Sequence, residues 1–299
     1  MKILLTGGTG FLGKTYIESN KEHSIFATYR KDHPENKKNI KWIKLDLLNK
    51  NDFKTATDIL KKEKIEIILH IGGATPNRAY SEKSFAATTE GTKNIIELGK
   101  KLGIKKIIFI SSLTVIFPHK GPYADSKREA EKIIMGSKIP YTIFRPETII
   151  GEHALDFNRV AKIAIKSKFF PVLGMGNNKT QPIAVKDLIS MIEISMKNRK
   201  TDFKTYIAVG KEALTLREFI REIAKTNKNK ILFIHIPIFL AKIFAKIASI
   251  VYPKLGINME RIFILSFSRE YTLEHMKDFQ MELTSFRDMI SFLKRNKSM

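Results

Sequence analysis

The chain has 299 residues, of which 43% are hydrophobic and 28% are charged. This composition is typical of a soluble globular protein and excludes a disordered or collagen-like chain. Cysteine is absent, which excludes disulfides, thiolate metal sites and cysteine nucleophiles and fits a cytoplasmic protein.

The net charge of +23 would suit binding to a nucleic acid or to an anionic membrane. However, lysine outnumbers arginine 41 to 12, and aromatic residues do not alternate with the basic ones. Cations at helix ends complement the helix dipole, and the lysine clusters fall where we expect helices to end, at residues 61–64, 100–101, 197–200 and 294–297. We therefore interpret the charge as solvated surface and expect no nucleic-acid partner.

Short apolar segments alternate with amphipathic segments through the first half of the chain. Strands are predicted at 3–5, 24–29, 40–45, 65–71, 105–111 and 141–144, and helices from Phe11 and over 52–62, 89–101 and 123–137. This alternation predicts an α/β fold in which a doubly wound parallel sheet of the Rossmann type is covered on both faces. Residues 1–150, joined by elements from 182–210, would form the main domain, and residues 151–299 mainly a smaller C-terminal substrate lobe.

A glycine-rich loop joins the first strand to the first helix. Gly7, Gly10 and Gly13 are three residues apart, with Thr9, Phe11 and Leu12 between them. Glycine allows the tight turn, lets the backbone approach a pyrophosphate and permits close packing of helix on sheet, while the helix N-terminus offers N–H groups to phosphates. Because this pattern follows a strand and opens a helix, it predicts a dinucleotide site.

The end of the second strand bears on the choice between NAD and NADP. An acidic residue there would bind a ribose 2′-hydroxyl, whereas an arginine would suit a 2′-phosphate. The sequence has Arg30 and Lys31 at this point, with the first acid at Asp32. Arg30 therefore favours NADP, with NAD as the alternative.

Tyr123 and Lys127 are four residues apart at the start of a predicted helix, so both lie on one face. An ammonium group near a tyrosine stabilises its phenolate, which brings the phenol closer to exchanging a proton at working pH. Ser111 and Ser112 end the preceding strand, at the edge of the sheet where ligands bind in such folds. The three residues Ser112, Tyr123 and Lys127 are the predicted catalytic group.

These motifs together resemble the extended or atypical short-chain dehydrogenases/reductases of the NAD-dependent epimerase/dehydratase type. The resemblance covers nearly the whole chain. The matching stretches are 3–13, Asp46-Leu47, 68–73, 91–94, 109–112, 122–127, Arg145-Pro146, 181–188 and 206–210.

The resemblance implies an NAD(P)-dependent oxidoreductase or epimerase that acts at a hydroxyl or carbonyl carbon. It implies Tyr123 as acid/base, Lys127 as the partner that lowers the tyrosine pKa and binds ribose, and Ser112 as the group that binds the substrate oxygen. The remaining residues that it implies for the cofactor are Asp46 at the adenine amino group, Leu47, Ile71, Gly72 and Gly73 packing against the cofactor, and Pro146 and Thr148 near the nicotinamide.

Three features depart from the pattern of the family. Thr88 stands where an asparagine is usual, the segment between Ser112 and Tyr123 is short, and Thr180-Gln181-Pro182 replaces an arginine–aspartate pair. These departures weaken a sugar-nucleotide substrate more than the redox chemistry. They also leave open a non-catalytic dinucleotide-binding sensor or assembly scaffold.

Other features are less specific. His70 ends an apolar strand and is interpreted as a core residue, and no histidines have metal-binding spacing, so no metal is expected. Glu147 could face the substrate, since it follows a strand end. The apolar segment 237–252 is interpreted as a packed helix, with a membrane contact or a lipophilic lid as alternatives. We expect a small-molecule substrate, no secretory signal, and a cytoplasmic or membrane-peripheral protein for which a homodimer stays open.

Overall fold

The computed structural model describes residues 1–20, 22–35, 38–73, 81–118, 121–251 and 266–294, and for 244, 245, 247–251 and 275 the backbone alone. The strands are β1 (Lys2–Thr6), β2 (Ser24–Tyr29), β3 (Ile40–Lys44), β4 (Ile67–His70), β5 (Lys106–Ile110), β6 (Tyr141–Pro146), β7 (Ile149–Ile150), β8 (Phe169–Leu173), β9 (Lys179–Thr180), β10 (Ile183–Ala184), β11 (Lys204–Ala208), β12 (Leu214–Thr215) and β13 (Leu232–Ile236). The α-helices are α1 (Phe11–Ser19), α2 (Lys50–Lys61), α3 (Glu82–Leu102), α4 (Pro122–Met135), α5 (Leu155–Lys166), α6 (Val185–Lys197), α7 (Leu216–Lys225), α8 (Ile238–Val251) and α9 (Phe286–Met289). Short 3₁₀ helices cover Leu113–Ile116, Arg199–Thr201, Leu273–Phe279 and Ser291–Lys294.

The chain divides into two compact units. The first unit comprises residues 1–145 and 189–207, and the second comprises residues 146–188 and 208–299. Among the described helices, none combines the length and apolar character needed to cross a membrane.

A seven-stranded sheet in the order β11-β6-β5-β4-β1-β2-β3 forms the centre of the first unit. The pairs from β3 through β6 are parallel, with Leu4 opposite Ile68 and Ile68 opposite Ile107. These strands contribute to one apolar core with Leu60 of α2 and Ile95 of α3. Because alternate strand residues point to opposite faces and β5 is buried throughout, both faces are covered. The predicted doubly wound Rossmann fold is confirmed.

Helix α3 begins seven residues earlier than its apolar periodicity predicts. Ser81 caps it by accepting the N–H of Ser84, and the first turns carry exposed side chains such as Glu82 and Lys83. Since burial begins only at Thr88, the first turns of the helix lie in solvent and the sequence pattern misses them. The other predicted elements of the first half have ends within two residues of those observed.

The described part of the second unit contains three two-stranded sheets, formed by β7 with β10, β9 with β12, and β8 with β13. Its aromatic core brings Phe219 close to Phe157 and Phe286, with ring centroids 6.2 and 5.0 Å apart. Helix α7 begins with a capping box in which Thr215 and Glu218 satisfy each other's backbone N–H groups. These elements give this unit an apolar core of its own.

Buried polar side chains lie beneath the carboxyl ends of β1 and β4. The side chain of Thr6 accepts the N–H of Gly72 at 3.0 Å, so its proton is directed to Nδ1 of His70, 2.6 Å away. The hydroxyl of Thr92 donates to the Thr88 carbonyl and lies 3.1 Å from Nε2 of His70. This arrangement fits a neutral imidazole with its proton on Nε2. The interpretation of His70 as a satisfied core residue is confirmed.

A buried lysine attaches the returning segment 195–202 to the sheet of the first unit. The ammonium of Lys106 donates to the Ser195 carbonyl at 2.7 Å and to the Thr201 hydroxyl at 2.8 Å, and it lies 2.6 Å from the Asp202 carboxylate. Burial lowers the pKa of Lys106, while Asp202 opposes that lowering. The neighbouring Lys105 instead forms an exposed ion pair with Glu66.

We predict that Lys106→Met lowers the free energy of unfolding by about 2–4 kcal/mol, because it leaves a buried carbonyl and a half-buried carboxylate unpaired. Lys105→Met is the matched control and should cost less than about 1 kcal/mol, since its ion pair is exposed. Urea unfolding followed by circular dichroism measures both. Equal losses in the two variants would contradict the assigned role of Lys106.

We predict that stability falls as the pH drops below about 6.5, because of His70. Burial, assisted by the charge of Lys127, lowers the pKa of His70 to about 3. Between these pH values the unfolded chain binds a proton that the folded chain excludes, so the free energy of unfolding decreases on acidification by up to about 1.4 kcal/mol per pH unit.

Unfolding measured between about pH 5 and 7, above the range in which most carboxylates titrate, should show this slope. His70→Asn removes one titrating group and should flatten the slope by about one proton. The exposed His153 provides the control, since His153→Asn removes an imidazole that the protein does not bury. A wild-type slope retained in His70→Asn would contradict the prediction.

Candidate active site

The glycine loop has the geometry of a phosphate cradle. Gly7 has φ +75°, and a Cβ at this position would lie 2.9 Å from the backbone nitrogen of Gly72. A Cβ on Gly13 would overlap the carbonyl oxygen of Gly7, so helix α1 can start this close to the loop only with glycine there. Gly10 is the N-cap of α1, and no side chain caps its first turn. The bare helix N-terminus therefore suits an anionic ligand.

The residues predicted to hold the adenosine end follow β2 and β3. Arg30 is exposed directly after β2, and Asp46 and Leu47 are half-buried after β3. One carboxylate oxygen of Asp46 accepts the N–H of Leu48 at 3.1 Å, which fixes the side chain in the turn. A Cβ on Gly91 would lie 2.8 Å from Cβ of Leu47, so this loop packs tightly on α3.

The segment Ile71-Gly72-Gly73 continues from β4 beside the glycine loop. Gly72 is buried and tied to Thr6, while Gly73 is exposed with φ +138°. A Cβ on Gly73 would lie 3.2 Å from the hydroxyl of Thr88. Thr88, the departure from the expected asparagine, is buried next to this backbone and is accommodated without a break in α3.

The structure places Tyr123 and Lys127 on the first and second turns of α4, which has Gly121 as its N-cap. Lys127 donates its ammonium to the Ile110 carbonyl at the end of β5, at 2.9 Å, and lies 4.8 Å from the ring centroid of Phe109. Tyr123 and Lys127 are both buried. The predicted pair thus lies at the carboxyl edge of the sheet, at the end of the same strand that Ser112 follows.

Ser112 keeps a proton available for a ligand. Its oxygen accepts the N–H of Thr114 at 3.3 Å and the hydroxyl proton of Thr114 at 3.0 Å. Both bonds use lone pairs, so the O–H of Ser112 remains free to donate. Ser112 is half-buried at the start of the 3₁₀ helix, whereas the hydroxyl of Ser111 is buried without a hydrogen-bond partner among the described residues.

The electrostatic environment of Lys127 depends on a residue that the sequence analysis missed. Burial lowers the pKa of Lys127 to about 8, and the carboxylate of Glu131 opposes this lowering. Glu131 is itself buried and accepts two hydrogen bonds from Arg145, at 3.0 and 2.6 Å. The spacing of four residues from Lys127 to Glu131 was a usable signal, because it continues the face of Tyr123 by one more turn.

Pro146 and Thr148 belong to the second unit. Between them, Glu147 is buried, lies 2.8 Å from a guanidinium nitrogen of Arg269 and accepts the hydroxyl of Thr180 at 2.8 Å. Its carboxylate is thus engaged inside the protein. Nothing in the sequence connected residues 122 positions apart, so this pair was not predicted.

Gln181, part of the third departure from the family pattern, is also a structural residue. Its amide nitrogen donates to the Gly210 carbonyl at 2.9 Å, and its oxygen accepts the N–H of Tyr271 at 2.8 Å. On α4, Asp125 pairs with Arg128 and Glu129 pairs with Lys132, so these acids lie in ion pairs along the helix. Among the described residues, no cluster of three or more histidine and carboxylate side chains could hold a metal ion.

Known proteins show similarity over much of the chain. UDP-glucose 4-epimerase of Vibrio cholerae is 24% identical over 278 residues, which cover 82% of this chain and 81% of that protein. N-acetyl-alpha-D-glucosaminyl-diphospho-ditrans,octacis-undecaprenol 4-epimerase of Escherichia coli O157:H7 is 27% identical over 188 residues. That match covers 56% of this chain and 55% of the relative, so the aligned part spans little more than half of the relative's length.

Among solved structures, UDP-glucuronic acid 4-epimerase from Bacillus cereus, in complex with UDP-glucuronic acid and NAD, has a TM-score of 0.75. The alignment covers 97% of this chain and 96% of that structure at 17% identity, which supports the fold. The model of the NAD dependent epimerase/dehydratase family matches residues 3–209, well over half of the chain. The protein therefore belongs to the NAD dependent epimerase/dehydratase family, as the resemblance of its glycine loop and its Tyr-x3-Lys helix predicted.

Proposed function

We propose that the protein catalyses hydride transfer at a hydroxyl- or carbonyl-bearing carbon, as an NAD(P)-dependent oxidoreductase or epimerase, with Tyr123 as the acid/base. The placement of Tyr123 and Lys127 on one face of α4 carries this proposal, because Lys127 is held at the carboxyl end of β5 beside Ser112. This is the edge where ligands bind in doubly wound sheets.

Lys127 assists Tyr123 through charge. A cation one helical turn away stabilises the phenolate and thereby lowers the barrier to removing a proton from a substrate hydroxyl. The carboxylate of Glu131 favours the cationic form of Lys127, and Arg145 holds that carboxylate in place. Ser112 donates its free proton to the substrate oxygen and so orients the reacting carbon.

The glycine loop and the uncapped start of α1 support a dinucleotide on this unit, because they leave backbone N–H groups open at a site that a Cβ would fill. When bound, the nicotinamide supplies the acceptor or donor of the hydride. Thr9, Phe11 and Leu12 complete the loop, while Asp46, Ile71 and Gly73 flank the adenosine side. Arg30 gives NADP an advantage over NAD, since an exposed guanidinium after β2 matches a 2′-phosphate.

The substrates to test first follow from the relatives. The Vibrio cholerae relative is named for UDP-glucose and the Escherichia coli relative for a diphosphopolyprenol-linked N-acetylglucosamine, so a sugar carried on a diphosphate is the first class. The side chain of Gln181 is already hydrogen-bonded to the backbone of Gly210 and Tyr271. It therefore does not replace the arginine–aspartate pair that is usual in the family. Ketones and alcohols without a diphosphate form the second class.

We predict that Tyr123→Phe lowers turnover by about 10²-fold or more, because it removes the proton-transfer group. Cofactor affinity should change only a few-fold, since the rest of the cradle remains. Turnover of both substrate classes is followed by nicotinamide absorbance and product analysis, with cofactor titration alongside. Tyr141→Phe is the control and should retain activity, because Tyr141 lies at the amino end of β6, away from the carboxyl edge of the sheet where the site lies. Full activity in Tyr123→Phe would contradict the mechanism, and cofactor binding without turnover in the wild type would favour the scaffold alternative.

We predict that the protein binds NADPH more tightly than NADH and that Arg30→Ala removes this preference. Loss of a charge-assisted bond to phosphate should weaken NADPH binding by about tenfold or more and leave NADH nearly unchanged. Quenching of protein fluorescence and nicotinamide emission measure both affinities. Arg199→Ala, a change at another exposed arginine, controls for general charge. A wild-type preference for NADH would assign NAD as the cofactor instead.

A further inference from the structure

The second unit exposes a group of large apolar side chains that its core does not use. We call this group the apolar face, and it consists of Phe169, Leu232, Ile234, Phe239, Leu240 and Ile243. The exposed fractions reach 63% for Phe239 and 64% for Leu232. Monomeric soluble proteins rarely expose large contiguous apolar patches, and such patches mark interaction sites.

The strands β8 and β13 supply the first part of the apolar face. They pair in parallel with Leu232 opposite Phe169 and Ile234 opposite Pro171. Because alternate residues of a strand point the same way, these side chains share one side of the two-stranded sheet. The residues between them, Phe170 and Val172, are buried on the other side.

Helix α8 extends this side of the sheet. Its Ala241 is buried against Leu173 and Ile236, which lie further along the same strands and point to the same side as Phe169 and Leu232. The neighbouring Phe239, Leu240 and Ile243 are exposed. The interpretation of segment 237–252 as a packed helix is therefore wrong for these three side chains, although Ala241 between them is buried. Residue 252 lies outside the described residues.

The chain segments that carry the apolar face bear charges of one sign. Residues 157–186 and 223–251, which contain β8, β13 and α8, include no aspartate or glutamate. They do include exposed lysines, among them Lys168 before β8, Lys230 before β13, and Lys242 and Lys246 one turn apart on α8. The Leu232 N–H donates to the Lys168 carbonyl at 2.8 Å, so the two strand entries with their lysines are adjacent.

We propose that the apolar face with its surrounding lysines docks the protein on an anionic lipid bilayer. The apolar side chains enter the boundary between headgroups and acyl chains, while long lysine side chains extend to the phosphates. A second copy of the chain fits less well, because it brings the same lysines and a further net charge of +23 to the contact. The proposal is independent of the catalytic assignment, since it uses no residue of the candidate active site.

Co-sedimentation of the full-length protein with vesicles tests the proposal. We expect binding to phosphatidylcholine vesicles that contain about 30% phosphatidylglycerol and much weaker binding to phosphatidylcholine alone. Raising NaCl from about 0.1 M to about 0.5 M should weaken the binding but leave a measurable part, because the inserted side chains are insensitive to screening. Complete loss at high salt would show attraction by charge alone and would overturn the proposal.

Two variant pairs test the apolar contribution. Phe239→Gln with Ile243→Gln, and Leu232→Thr with Ile234→Thr, should each lower the partition coefficient about tenfold or more. The control pair Ile59→Gln with Leu155→Gln removes similarly exposed apolar side chains outside the face and should bind as the wild type. Thermal unfolding checks that all the variants fold. Wild-type binding by a variant pair that folds would overturn the proposal.

A third pair tests the charge. Lys242→Gln with Lys246→Gln should reduce the preference for phosphatidylglycerol about tenfold, as two cations near an anionic surface are lost. Lys54→Gln with Lys61→Gln on α2 is the matched control and should change little.

Light scattering at rising protein concentration tests whether a second copy of the chain, rather than a bilayer, covers the apolar face. A dimer that Phe239→Gln with Ile243→Gln abolishes, together with absent vesicle binding, would assign the face to a second copy instead.

Discussion

The backbone after β1 and the backbone after β4 approach each other so closely that only glycine fits, and the candidate site depends on this approach. Gly7 has no room for a Cβ against Gly72, and Gly13 has none against Gly7. Bare backbone at a sheet edge costs stability unless its polar groups are satisfied. On the side of the core, the hydroxyl of Thr6 accepts the N–H of Gly72 and bonds to His70. The side of the loop that faces away from the core stays open to a ligand.

The close packing of α4 on the sheet also determines how the charge of Lys127 is stabilised. A lysine on a buried helix face would ordinarily lose its charge, and burial does lower the pKa of Lys127 to about 8. The buried Glu131 opposes this effect, and Arg145 neutralises Glu131 in turn. The result is a row of alternating charges, from Lys127 through Glu131 to Arg145, that keeps a cation next to Tyr123.

In the second unit, polar side chains attach the C-terminal segment rather than face a ligand. Glu147 binds Arg269, Gln181 binds the backbone of Tyr271, and Asp187 accepts the N–H and the hydroxyl of Thr284. Each bond joins an element that follows β6 to residues 266–294. The departure from the family pattern in this unit, Thr180-Gln181-Pro182, therefore has a structural role. The substrate would be selected by other side chains.

The sequence by itself determined the doubly wound sheet, the glycine loop and the placement of Tyr123 and Lys127 on one helix face. These are local features, because the periodicity of strands and helices and the spacing within one helix need no knowledge of distant contacts. Only the tertiary structure decided how Glu147 meets Arg269, how Lys127 is buried, and which of the described apolar side chains of α8 stay exposed. These outcomes depend on which residues far apart in the chain come together and on how much of an apolar stripe the core has room to cover.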